Sequence, residues 1–184
     1  METTLKKNAA PIGVLSTGIG ILLIASFGSL THLDLANAQQ NKTLIQNNSI
    51  EEKNKVLVLK AFDTLFNKRD YVAAERYWSP NYIQHSAHIA PGREGLFNLV
   101  KSSPPTLKYE PGTIVADGDF VIVHGRFSGR GQPVNWIAAD ILRIEDGLLV
   151  EHWDVIQDEV TQEQSKSGMP MFGDKFPNTL GSIK

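Results

Sequence analysis

The chain has 184 residues, with 18 lysines and arginines against 20 aspartates and glutamates, and it has no cysteine. A net charge of −2 with well-mixed signs gives no electrostatic footprint for nucleic acid, so we expect no nucleic-acid partner. The lack of cysteine excludes disulfides, thiol nucleophiles and thiolate-bound metals. A domain of this composition has to be held together by its apolar core.

Residues 1–38 have the pattern of a secretory signal peptide. Lys6 and Lys7 precede an uncharged stretch over residues 12–30, and Ala36-Asn37-Ala38 has the form of a cleavage site. We therefore expect a secreted or otherwise extracytoplasmic protein. The alternative is an uncleaved N-terminal anchor, because the uncharged stretch approaches the roughly 20 residues that a spanning helix needs. A membrane is an expected partner only in that case.

The remaining chain divides into three parts by composition. Residues 39–50 are rich in Asn and Gln and are predicted to form a flexible leader. The folded domain is predicted to span residues 51–158. Residues 159–184 are predicted to be a C-terminal tail, because Gly and Pro interrupt them too often for a regular element.

Capping residues and the helical spacing of apolar side chains predict three helices, over residues 49–66, 73–78 and 93–101. The first begins at Ser49, where Glu52 completes a capping-box pattern. The second has Asp70 as its N-cap.

β-rich runs separated by turn residues follow the helices and predict an antiparallel meander. A short extended piece lies at residues 82–85, and strands are predicted over residues 107–110, 113–116, 120–127, 136–144 and 148–157. Helices first and strands last indicate an α+β domain, in which a strongly curved antiparallel sheet wraps around three N-terminal helices.

The last two strands place chemically active side chains on one face. A three-residue turn ending at Gly147 would pair Ile144 with Leu148 and set Asp140 across from His152. Strand alternation then gathers one set of side chains on that face: Asp140, Leu142, Ile144, Leu148, Val150, His152, Asp154 and Ile156. Apolar surroundings raise a carboxylate's pKa towards the range of a general acid or base. A one-residue slip would instead put Arg143, Glu151 and Trp153 inside.

Several motifs in this order are shared with a known family: Tyr82–His85, Gly92-x-Glu94-Gly95, Asp140–Gly147, Glu151–Gln157 and Pro170-Met171-Phe172. They resemble the SnoaL-like polyketide cyclases of the nuclear-transport-factor-like superfamily, over roughly residues 54–172. The resemblance implies a cone-shaped α+β barrel, in which the curved antiparallel sheet wraps around the three N-terminal helices. It leaves the chemistry open, because members include cyclases, ketosteroid isomerases, epoxide hydrolases, dehydratases and non-catalytic binding domains.

The resemblance also suggests catalytic residues. Asp154 matches the last-strand Asp that is the proposed acid/base in the cyclases, and Asp140 stands where the founding cyclase has a His. The two carboxylates could share a proton, or His152 could hold both ionised as an imidazolium. His85 is predicted to donate a hydrogen bond to a substrate carbonyl, with a structural role in its loop as the alternative.

Five further residues are predicted to contact a substrate: Tyr82, Gln84, His88, Trp136 and Phe97. Trp136 lies four residues before Asp140 in the same predicted strand, so both side chains point to the same face and Trp136 is expected in the cavity. Trp153 is expected on the opposite face. We expect no metal and no cofactor. The conceivable ligand set of His85, His88, His124 and Asp154 lies on separate elements without a recognisable spacing.

The sequence therefore predicts a domain that binds a small apolar carbonyl compound. Asp154 would act as the base in an aldol cyclisation or isomerisation, and Asp140 or His85 would donate to the enolate oxygen. The alternative is a non-catalytic ligand-binding or interaction module. The resemblance also implies a homodimer that pairs through the outer sheet face.

Overall fold

A computed structural model describes residues 32–173 of the protein. The elements follow in this order: α1 (His32–Phe62), a π-helical turn (Asp63–Asn67), α2 (Tyr71–Ala74), β1 (Trp78–Gln84), α3 (Gly92–Ser102), β2 (Lys108–Asp117), β3 (Phe120–Ser128), β4 (Trp136–Glu145) and β5 (Leu148–Asp158). Most of the predicted signal peptide, including the stretch over residues 12–30, lies outside the described residues. Within residues 32–173, no helix has both the length and the apolar character needed to cross a membrane.

The described part of helix α1 already includes His32, which corrects the predicted start at Ser49. Residues 39–50, predicted to be a flexible leader, belong to this helix and have exposed side chains throughout. No Gly or Pro interrupts the backbone between His32 and Phe62, so the intrahelical hydrogen bonds continue through the polar stretch. Only the C-terminal part of α1 packs on the domain.

The two shorter helices agree with the sequence in different degrees. The Asp70 carboxylate accepts a hydrogen bond from the backbone N–H of Ala73 at 3.0 Å, so the predicted cap is confirmed. That helix ends at Ala74, however, and Trp78 already begins strand β1. Pro80 is compatible with this strand because β1 lies at the edge of the sheet. The predicted third helix is confirmed as α3.

The five strands form one sheet in the order β1-β5-β4-β3-β2. The pairs β2–β3, β3–β4 and β4–β5 are antiparallel, but β1 runs parallel to β5, which corrects the expectation of an antiparallel sheet at this edge. A parallel pair is possible because a long connection separates the two strands. Within residues 32–173, β1 and β2 each keep one unpaired edge, so the curved sheet is not closed into the barrel that the resemblance implies. The predicted α+β class, with helices before a curved sheet, is confirmed.

Aromatic side chains connect the helices to the sheet. The Phe62 ring lies 5.0 Å from that of Tyr109 and 6.3 Å from that of Trp78, and Trp78 lies 5.5 Å from Phe97. All four side chains are buried, and burial of each of the two phenylalanines contributes about 1.5–3 kcal/mol to stability. Phe97 therefore belongs to the core and does not line the cavity, which corrects its predicted role in substrate binding.

The hairpin of β4 and β5 differs from the prediction at its turn. Asp146 and Gly147 form a two-residue turn with φ of 51° and 75°, the left-handed pair that such hairpins favour. Val150 is bulged, because Ile144 pairs with Leu149 and Arg143 with Glu151.

The turn and the bulge together move the register by two residues. Asp140 pairs with Asp154, so the predicted pairing of Asp140 with His152 is wrong. A shift of two keeps the same side chains on the same face, so Asp140, His152 and Asp154 still share one face. Closer to the turn, Leu149 is buried in place of the predicted Leu148 and Val150.

Candidate active site

A cavity of about 180 Å³ lies between the concave face of the sheet and the helices. Its wall is mainly apolar and comes from Phe62, Phe66, Ile89, Leu96, Leu99, Val100, Leu107, Phe127, Trp136 and Ile156. The buried polar groups of the lining are Tyr82, Ser86, Asp140 and His152, and Asp154 is half-buried. An apolar cavity with a few convergent polar groups is typical of a small-molecule site.

Asp140 and Asp154 face each other across β4 and β5 and both line this cavity. Directly opposite residues on neighbouring strands have Cβ atoms only about 4.5–5.5 Å apart. The charge of Asp154 at this position disfavours ionisation of Asp140. The pairing therefore places two acids of unequal burial next to each other, since Asp140 is 3% exposed and Asp154 is half-buried.

Burial raises the pKa of the Asp140 carboxyl above its ordinary value of 3.8. The hydrogen bond and charge of His152 oppose this rise, and the nearby Asp154 adds to it. Asp140 Oδ1 lies 3.1 Å from His152 Nε2, whereas Oδ2 is buried and has no hydrogen-bond partner among the described residues. A hydrogen bond between Oδ2 and a polar group of a ligand would therefore offset the free-energy cost of burying this atom.

Gln84 determines which nitrogen of His152 carries a hydrogen. Its Oε1 accepts the backbone N–H of Ser86 at 2.9 Å and lies 2.9 Å from His152 Nδ1. Because a backbone N–H only donates, the amide atom facing it has to be the oxygen, and Nδ1 must then donate as well. Nε2 and Asp140 Oδ1 consequently share one hydrogen, as either a neutral acid with a neutral imidazole or a carboxylate with an imidazolium.

Gln84 thus lies behind His152 and does not line the cavity, which corrects its predicted contact with substrate. It reaches this position because β1 pairs with β5, with Gln84 beside His152 in the register. Gln84 therefore positions His152, a candidate catalytic residue, and not the ligand.

Tyr82 precedes Gln84 by two residues and projects to the same side of β1, into the cavity. Burial raises the pKa of its hydroxyl, and the charges of Asp140 and Asp154 add to the rise. The hydroxyl therefore keeps its hydrogen at neutral pH and can donate a hydrogen bond to a ligand in the cavity.

His85 lies outside the cavity, which corrects its predicted catalytic role. In an extended chain it points to the face opposite Gln84. Its Nε2 lies 2.9 Å from Glu151 Oε1, and its ring stacks on Trp153 with centroids 4.7 Å apart. Arg143 Nε donates to the other Glu151 oxygen at 2.8 Å. These residues form the outer face of the sheet, where Trp153 is predicted.

The mouth of the cavity is formed by exposed and half-exposed side chains. Trp136 lines it, as its parity predicts, and so does His88, whose ring lies 5.2 Å from the indole of Trp136. The guanidinium of Arg130 lies 3.0 Å from the Trp136 ring centroid. Sequence reasoning missed Arg130. The available signal was its position between Gly129 and Gly131 in the loop before β4.

Asp140, His152 and Asp154 could also hold a metal ion, because one donor atom from each lies within 4.8 Å of the others. Oxygen and imidazole donors suit several divalent ions. An ion would have to replace the hydrogen bond between His152 and Asp140. The set considered from sequence is not brought together, since His85 is on the outer face and the His124 ring packs near Phe172, 5.8 Å away.

Known proteins share the sequence pattern and the fold. The SnoaL-like domain profile matches residues 58–152, just over half of the 184 residues. No curated protein matches the sequence. A proposed ketosteroid isomerase from Kribbella flavida superposes with a TM-score of 0.51 at 18% identity, covering 73% of this chain and 90% of its own.

Two further solved structures are similar. A proposed SnoaL-like polyketide cyclase from Jannaschia sp. CCS1 has a TM-score of 0.51 at 20% identity and covers 58% of this chain and 87% of its own. A proposed polyketide cyclase from Acidithiobacillus ferrooxidans has a TM-score of 0.50 at 19% identity and covers 56% of this chain and 87% of its own. At these identities the likeness establishes the fold alone.

Proposed function

Because this chain belongs to the SnoaL-like domain family, we propose that its cavity binds a small, largely apolar carbonyl compound and catalyses proton transfer next to the carbonyl. The facing acids Asp140 and Asp154 carry the proposal. Their surroundings differ, since one is fully buried with a raised pKa and the other is half-buried in the same apolar wall. Two neighbouring acids in unequal surroundings are suited to opposite acid and base roles.

In this proposal Asp154 is the general base. Its carboxylate removes a proton from the carbon next to the carbonyl. The C–H bond breaks, and its electron pair moves towards the carbonyl oxygen to form the enolate. Return of this proton from Asp154 to a different carbon of the enolate gives isomerisation. Attack of the enolate carbon on a second carbonyl of the same molecule forms a C–C bond and breaks the C=O π bond; the alkoxide takes the proton back from Asp154, which completes an aldol cyclisation.

Tyr82 and Asp140 are the proposed donors to the enolate oxygen, with Tyr82 replacing His85. The Tyr82 hydroxyl keeps its hydrogen because burial raises its pKa. Asp140 donates when Oδ2 carries a hydrogen in addition to the one shared by Nε2 and Oδ1; His152 is then an imidazolium whose Nε2 donates to Oδ1. Gln84 holds the ring in place through Nδ1. Preorganised donors of this kind stabilise the charge that develops in the transition state.

Hydrogen–deuterium exchange at the methyl group of acetophenone tests the base without knowledge of the natural substrate. Asp154→Asn should lower the protein-catalysed exchange rate in D₂O, followed by NMR, by about 100-fold to 10,000-fold. Asp117→Asn is the control, because it makes the same change at an exposed position at the end of β2. Unchanged exchange in Asp154→Asn would refute the assignment of the base. Acetophenone binding without any accelerated exchange would favour a non-catalytic ligand-binding module.

Export and self-association are two further proposals. The N-terminal pattern ending at Ala38 supports export and cleavage. Exposed apolar side chains on the outer sheet face, among them Phe120, Ile122 and Val155, support a homodimer. Native mass spectrometry of the exported fraction should give a dimer whose chains begin at Gln39. Chains beginning at Met1 would contradict cleavage, and a monomer at high concentration would contradict the dimer.

A further inference from the structure

A cationic side chain at the cavity mouth has no part in the proposed proton transfer. Arg130 lines the cavity from the loop between β3 and β4. Its Nη1 donates to the Val134 carbonyl at 3.3 Å. Because a guanidinium has five N–H donors, the described residues use only a small part of its hydrogen-bonding capacity.

The charge of Arg130 is also incompletely balanced. Arg126 and Arg143 each pair with glutamates within 4 Å, whereas Arg130 has no ion pair within the part of the chain that the structure describes. Partial burial lowers the pKa of its guanidinium, and Asp158 opposes this at longer range. Asp158 is engaged with the Trp136 indole N–H at 3.0 Å.

The backbone holds Arg130 at this place. Gly129 and Gly131 on either side have φ of 64° and 77°, in the left-handed region that favours glycine. A Cβ on Gly129 would lie 1.9 Å from the carbonyl oxygen of Thr106, whose hydroxyl donates to the Gly129 carbonyl at 2.8 Å. The guanidinium is further fixed against the Trp136 ring. The side chain is therefore positioned before a ligand binds.

We propose that Arg130 binds a carboxylate carried by the ligand, so that the cavity selects an apolar keto acid over the corresponding neutral ketone. This inference rests on the proposed function, because it names the substrate class of the same cavity. Guanidinium groups bind carboxylates through charge-assisted and often bidentate hydrogen bonds.

The distribution of charge also sets the orientation of such a ligand. Its carboxylate would lie at the mouth beside Arg130, its apolar body against the aromatic and aliphatic wall, and its ketone beside Asp140 and Tyr82. The reverse orientation would place a third carboxylate next to Asp140 and Asp154, where like charges repel. His88 and Gln132 are further polar groups at the mouth.

A matched pair of probes tests this selection. 4-Acetylbenzoate and 4-acetylbenzamide have the same ketone and nearly the same shape, and only the first is charged. Isothermal titration calorimetry should give the benzoate a dissociation constant about tenfold lower, because it adds a charge-assisted hydrogen bond. The ratio of the two constants should fall to about one in Arg130→Gln and keep part of its value in Arg130→Lys. Arg76→Gln, at an exposed position outside the cavity lining, should keep the full ratio.

The outcomes separate this inference from the proposed function. Equal affinities in the wild-type protein, or a ratio that Arg130→Gln does not change, would overturn the role of Arg130 while leaving the ketone site intact. If neither probe binds, the proposed function fails, and the inference fails with it.

Discussion

Replacement of Gln84 by leucine tests the hydrogen-bond chain behind the cavity. Leucine retains much of the side-chain volume but removes Oε1, which accepts hydrogen bonds from Ser86 N–H and His152 Nδ1 at 2.9 Å each. Ser86 is 7% exposed and His152 is 4% exposed. Water therefore has little access to the two donors that lose their acceptor.

The expected loss of stability follows from counting these groups. A buried donor without a partner costs about 1–3 kcal/mol, so two of them cost roughly 2–6 kcal/mol. Leucine also removes Gln84 Nε2, a buried group that has no hydrogen-bond partner in the described part of the chain, and this removal offsets roughly 1–3 kcal/mol. The free energy of unfolding should therefore fall by about 2 kcal/mol, which lowers Tm by roughly 4–10 °C in a domain of this size.

Urea unfolding and thermal circular dichroism measure this change, and ¹⁵N–¹H NMR of the imidazole reports which His152 nitrogen carries hydrogen. Gln157→Leu is the matched control, because that side chain is exposed on β5 and should change stability by less than about 0.5 kcal/mol. Equal stability of the two variants would refute the reasoning. So would a neutral His152 in the wild-type protein with its hydrogen on Nε2 alone.

Two other predictions concern Asp140 and the cavity wall. The folded state holds the Asp140 proton more tightly than the unfolded state, so protonated Asp140 stabilises the fold fully below its ordinary pKa of 3.8. This contribution is lost as pH rises through the higher pKa of the folded state. The wild-type protein should therefore lose stability relative to Asp140→Asn over that pH range. Urea midpoints of both proteins from about pH 4 to about pH 8 check this, and parallel curves would contradict it. Trp136→Ala removes part of the wall and should weaken acetophenone binding about tenfold by calorimetry, whereas Trp153→Ala, on the outer face, should not. Equal effects of the two tryptophan substitutions would show that the probe does not bind in the cavity.

Alternation along β4 and β5 is a local property, and the sequence alone was sufficient to place Asp140, His152 and Asp154 on one face. This prediction survived an error in register, because the two-residue turn and the bulge at Val150 moved the pairing by an even number of positions. Helix α3 and the Asp70 cap were predictable for the same reason, since both depend on residues close together in the chain.

Long-range pairing decided the rest of the site. β1 lies parallel to β5, and only this contact places Gln84 behind His152 and turns His85 towards Glu151 on the outer face. Nothing in the residues around β1 indicates which distant strand it will join.

The sequence by itself determined the fold class and the acidic face of the last hairpin, because the spacing of apolar and polar residues within each strand encodes which side is buried. Only the tertiary structure decided which acids face each other, which hydrogen bonds hold His152, and that Arg130 lies at the cavity mouth. These features depend on a bulge, a parallel pairing and a loop between two glycines. Their energies come from contacts between segments far apart in the chain, and such contacts leave no periodic pattern in either segment.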